Sequence, residues 1–68
     1  MLGEVLRKAR KKAGLTQEEL AFKAGISREY GSMLEGDKKS PTVETLFRVC
    51  KALGVRPSRI IAKIECNS

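Results

Sequence analysis

The chain offers acids, bases, hydroxyls and a single tyrosine for chemistry, because it has no histidine and no tryptophan. Without His, neither a Ser–His nor a Cys–His nucleophile pair can be assembled, and the commonest metal ligand is missing. Cys50 and Cys66 form no CxxC or other zinc spacing. The expectation is a protein that is no enzyme and carries neither cofactor nor metal. The informative stretch is Ser27 to Met33, where Arg28, Glu29, Ser32 and Met33 fall on the outward side of one short helix. A guanidinium fork fits the O6 and N7 acceptors of guanine, a carboxylate accepts from the amino group of cytosine, and a hydroxyl serves either kind of base. Glu29 has an equally good local use as an acid in the first turn, favoured by the helix dipole. Met33 reads first as peripheral packing and second as a contact to a thymine methyl.

The elements that must position these side chains follow from periodicity and caps. Leu2, Val5, Leu6, Ala9 and Ala13 recur at helical spacing with Gly14 as a stop, which predicts a helix over about 2–13. Thr16-Gln17-Glu18-Glu19 is a capping box that starts a second helix over 17–24, with Leu20, Ala21 and Ala24 inward and Gly25 ending it. Ser27 caps a third helix to about Glu35, whose inner side is Ile26, Tyr30, Gly31 and Leu34. After the loop Lys38-Lys39-Ser40-Pro41, Thr42 caps a fourth helix with an expected inner stripe of Val43, Leu46, Phe47, Cys50 and Leu53, closed by Gly54. Pro57 opens a fifth, faced by Ile60, Ile61 and Ile64. No segment alternates with period two. The predicted class is all-α, five helices in a single domain over 1–68.

Helices two and three, joined across Ala24-Gly25-Ile26-Ser27, have the proportions of a helix-turn-helix over about 16–35. The competing description is a plain αα-hairpin in a small bundle. Charge bears on the choice. Residues 1–12 carry five bases and one acid, 13–37 two bases and five acids, and 38–68 seven bases and two acids. Base edges call for mixed groups, while attraction to phosphates comes from flanking elements. Lys38, Lys39 and Ser40 are placed for the phosphate backbone, and Gln17 stands at a helix N-terminus that can grip a phosphate or simply be capped. No apolar run approaches the roughly 20 residues of a membrane span. The start of the chain runs straight into charge, unlike a secretory signal.

Leu15-Thr16-Gln17-Glu18-Glu19-Leu20-Ala21, then Ala24-Gly25-Ile26-Ser27, Leu34-Glu35, and Ser40-Pro41-Thr42-Val43-Glu44-Thr45-Leu46 resemble the Cro/phage-repressor (XRE) helix-turn-helix family over about residues 3–64. Arg28-Glu29-Tyr30 is similar to the controller proteins of restriction–modification systems, which are small dimers that regulate their own operon. The resemblance implies a lambda-repressor-like fold. It implies base contacts from Arg28, with Glu29 and Ser32 beside it, and a backbone or DNA-shape contact from Tyr30, with Ser27 in the same surface. It also implies a buried ion pair between Arg10 and Glu35. Two positions depart from the pattern. Gly31 stands where a β-branched residue is usual, and Asp37 where glycine is usual, with Gly36 one residue early.

Val55, Ile60, Ile61 and Ile64 offer more apolar surface than so small a core needs, and the face over about 55–64 is expected to join two copies or to close the core. The partners expected are double-stranded DNA and a second copy, with no membrane. The function expected is a cytoplasmic, nucleoid-associated regulator, bacterial or phage-encoded, on a palindromic operator. The alternatives are the antitoxin of a toxin–antitoxin pair, which would bind a toxin protein, and an interaction module that keeps the fold as scaffold.

Overall fold

The computed structural model describes residues 2–66, with the side chain of Cys66 outside that description. The described chain is α1 (Leu2–Lys12), α2 (Gln17–Ala24), α3 (Arg28–Glu35), α4 (Val43–Leu53) and α5 (Pro57–Cys66), without a strand among the described residues. Local caps set the boundaries. Thr16 Oγ1 accepts from the Glu19 amide at 3.1 Å, and the Thr16 amide donates to Glu19 Oε1 at 2.9 Å, so the capping box closes from both sides. The Thr16 backbone amide, and then its hydroxyl, hold the Glu19 carboxyl below its ordinary pKa. That contribution to the helix start is present above the usual carboxylate range and fades as pH falls through the lowered value. Ser27 and Thr42 accept from Tyr30 and Thr45 in the same way, each at 3.1 Å.

α2 packs chiefly on α4 and α3, while α1 lies against α3 and α5. The inward faces of all five helices meet in one apolar cluster that includes Leu6, Leu20, Leu34, Val49, Cys50 and Ile60. Burial pushes the Cys50 thiol up, so it behaves there as a small apolar side chain. No helix among the described residues is long and apolar enough to cross a membrane.

Two expectations about inward faces are corrected. In α4 the inner stripe is Leu46, Val49, Cys50 and Leu53, whereas Val43 is 71% and Phe47 54% exposed. Val43, Phe47 and Val49 are all apolar, so two overlapping stripes fit the wheel, and packing against α2 and α5 selects the one containing Val49. In α5, Ile60 is 2% exposed and belongs to the core, so it is not open to a partner.

Two ties hold α1 to α3. Arg10 Nε donates to Glu35 Oε2 at 2.8 Å and Arg10 Nη2 to Oε1 at 3.2 Å, a nearly buried fork. A third donor, Arg10 Nη1, reaches the Leu15 carbonyl at 2.8 Å and so also holds the α1–α2 turn. At the other end of α1, the Gly3 amide donates to Asp37 Oδ1 at 2.8 Å. Gly3 lies directly against the last turn of α3, and a Cβ there would overlap the Glu35 carbonyl and stand 2.7 Å from the Leu34 oxygen. Asp37 has φ of 57°, the left-handed residue that ends α3.

Gly31 differs from Gly3. A Cβ added at Gly31 would meet Ile26 Cδ1 at 3.7 Å and Ala21 Cβ at 3.9 Å, ordinary contacts beside a small void. Gly31→Ala is therefore expected to stabilise the fold by about 1 kcal/mol through helix propensity, while Gly3→Ala should destabilise it by roughly 1–3 kcal/mol through overpacking. Urea unfolding of the two variants checks the opposite signs. Glu35→Ala leaves the Arg10 guanidinium buried and unpaired, so the same measurement should show a loss of about 3–5 kcal/mol, most of the stability of a domain this size.

Candidate nucleic-acid interface

The turn between α2 and α3 is built from small residues and backbone bonds. Gly25, at φ 72°, reverses the chain, and the Ile26 amide donates to the Ala21 carbonyl at 3.0 Å. Ala21 is 3% exposed, and its single methyl lets α2 and α3 cross closely. Ile26 packs against the core and so sets the angle at which α3 leaves the turn. Arg28 is then the first residue of α3 and exposed, with its side chain beside the start of α2.

Gln17, Arg28, Glu29, Ser32 and Met33 line one shallow depression, with Gln17 at the α2 N-terminus on one wall and the outward face of α3 on the other. Four of these five were singled out by type and spacing as contacts. Gln17 carries a further constraint, because its Nε2 donates to Glu35 Oε1 at 3.4 Å. The Arg10–Glu35 fork thus also orients a side chain of the depression. Ser27 Oγ is used as the α3 cap; accepting there leaves its proton available to donate.

Tyr30 is half-buried and packs against the core, away from that depression. Lys38, Lys39 and Ser40 are exposed in the loop after α3. Both lysine amides donate to the Met33 carbonyl, at 2.9 and 3.4 Å, which pins the root of the loop to α3. Sequence reasoning missed the role of Asp37 in this arrangement. Its bond to Gly3 spans 34 positions, and the only visible trace was an acid where a glycine is usual.

The carboxy-terminal face divides on inspection of exposure. Val55 and Ile64 are half-buried against the core, Ile60 is buried, and Ile61 is 44% exposed. Phe22, on the solvent side of α2, is 87% exposed.

Comparison with known proteins agrees with this geometry. The family model described as helix-turn-helix matches residues 6–60. The chain is 42% identical over 65 residues to an uncharacterized HTH-type transcriptional regulator of Sinorhizobium fredii, covering 96% of this chain and 84% of the relative. It is similar to the restriction–modification controller protein C.AhdI from Aeromonas hydrophila, with a TM-score of 0.85 and 30% identity over 87% of this chain and 89% of that one. It is equally similar in fold to the DNA-binding domain of the P22 c2 repressor, with a TM-score of 0.87 and 31% identity over 90% of this chain and 80% of that one. Because that family model spans most of the chain and the relatives match along nearly its whole length, the chain belongs to the Cro/phage-repressor (XRE) helix-turn-helix family of DNA-binding transcriptional regulators.

Proposed function

We propose that the protein reads a two-fold symmetric operator as a homodimer, with α3 in the major groove, and that it controls its own transcription in the manner of a restriction–modification controller or a phage repressor. The observation that carries this reading is the shared depression of Gln17, Arg28, Glu29, Ser32 and Met33. It offers a fork, a carboxylate, a hydroxyl and an amide from two helix N-termini to one patch of a groove. Arg28 reads guanine, Glu29 and Ser32 read neighbouring bases, and Gln17, Ser27, Lys38, Lys39 and Ser40 hold the phosphates. Tyr30 acts from the core side by bracing α3 rather than by touching DNA. The protein works in the cytoplasm by binding alone, with no catalytic step.

A single helix reads only a few base pairs, so affinity and specificity call for two copies on half-sites about 34–36 Å apart. Support for self-association comes from Ile61, exposed on α5, and from Val43 and Phe47, exposed on α4. A second copy that covered these side chains would remove their apolar surface from water. Ile61→Lys should shift sedimentation toward monomer and weaken operator binding together, with the helical CD spectrum unchanged.

Selection from a randomised duplex pool at physiological salt tests the whole reading. The expected outcome is enrichment of a two-fold symmetric site with half-sites one helical turn apart. On that site Arg28→Ala should cost about 1–3 kcal/mol at one base position, whereas Lys39→Ala should weaken every sequence alike and lower the salt slope by about one. A pool that emerges unenriched sinks the operator-reading function and favours a protein-binding role for the same fold.

A further inference from the structure

A second concave surface, sharing no residue with the depression on α2 and α3, lies between the end of α1 and α5. Its floor is apolar and shallow-sided, made by Ala9, Ala13, Val55 and Ala62, small or half-buried side chains that leave a groove of about 550 Å³. Its charged lining is Lys12, Arg59 and Lys63, all cations and all exposed, with no carboxylate among the lining residues. Among the described residues the ion pairs join Lys8 to Glu4, Arg10 to Glu35 and Arg48 to Glu44, so none neutralises these three. We infer that this groove docks an acidic, amphipathic segment of a partner protein, apolar side chains on the floor and carboxylates against Lys12, Arg59 and Lys63.

Charge decides among the occupants. A second copy related by a two-fold axis would bring the same patch onto itself and set cations against cations. The dimer face proposed above also points elsewhere, since Ile61 lies about 160° around α5 from both Arg59 and Lys63 at 100° per residue. DNA would satisfy the cations, yet its sugar–phosphate backbone presents little apolar surface with which to cover the floor. An acidic amphipathic segment satisfies both the rim and the floor. The inference stands apart from the operator-reading function, because the groove shares no residue with the depression on α2 and α3.

The probe is a labelled peptide of about 15 residues, long enough to form helix on binding, with leucines along one face and glutamates flanking them. Fluorescence anisotropy is expected to show saturable binding to the full chain. Lys12→Glu with Lys63→Glu, both exposed sites, should weaken it by at least about tenfold, as for close charge pairs at interfaces. Ala62→Arg keeps the positive charge and fills the floor, so it should also abolish binding, whereas a merely ionic association would survive it. A control peptide with lysines in place of the glutamates should not bind. The inference is overturned if the glutamate peptide does not bind or if either variant binds it unchanged. It is also overturned if charge reversal weakens DNA binding as Lys39→Ala does, or shifts the monomer–dimer balance, since the groove would then belong to DNA or to a second copy.

Discussion

The Arg10–Glu35 fork is the interaction on which the remaining geometry depends. Among the described residues Arg10 is the charged residue that is buried, and it spends three donors on two partners: two on the Glu35 carboxylate and one on the Leu15 carbonyl. Glu35 in turn receives Gln17. A single buried network therefore links α1, the α1–α2 turn, the N-terminus of α2 and the last turn of α3. A buried ion pair gains little over an apolar pair of the same shape, but it accepts only one arrangement of its partners. The relative positions of Gln17 and α3, which together line the candidate interface, are set by that arrangement.

A second tie works at the opposite end of α1. Gly3 has no side chain, so the first turn of α1 comes directly against the end of α3, and Asp37 covers the Gly3 amide. The left-handed Asp37 is thus a turn residue and a helix cap at once. The same bond fixes where the loop bearing Lys38, Lys39 and Ser40 begins. A glycine at this position would supply the turn without the cap. The Gly3 contact and the void beside Gly31 show why glycine must be judged by its surroundings: one position has no room for a methyl, and the other has room unfilled.

The distribution of charge becomes intelligible on this frame. The acids of the middle segment are largely committed to structure: Glu19 closes a capping box, Glu35 holds Arg10, and Asp37 caps α1. They subtract little from the outward face of α3, where Arg28 stands exposed. Apart from Arg10, the bases at the two ends remain on the surface, with Lys38 and Lys39 in the loop after α3 and Lys12, Arg59 and Lys63 around the α1–α5 groove. The positive surface of a chain of net charge +6 therefore includes two faces of different composition. One, on the outward side of α3, mixes a guanidinium, a carboxylate and a hydroxyl, and the other combines cations with an apolar floor.

The element boundaries were legible because their causes are local. Thr16, Ser27 and Thr42 each bond an amide three positions on, and Gly25 and Gly54 each end a helix by a positive φ, so a few adjacent residues suffice to specify them. The outward residues of α3 were legible too, since its inner side is unambiguous. The resemblance supplied the Arg10–Glu35 pair, which spacing alone does not reveal. What the tertiary structure decided lies beyond the reach of a helical wheel. Where apolar residues spread around more than half of a helix, as in α4 and α5, periodicity permits several faces, and only the neighbouring helices select Val49 over Val43 and Phe47 and draw Ile60 inward. The Gly3–Asp37 and Gln17–Glu35 bonds join residues far apart in sequence, and no local rule encodes them. Local hydrogen bonding marks where each helix begins and ends; which face it buries, and which distant groups meet, is settled by packing all five around one core.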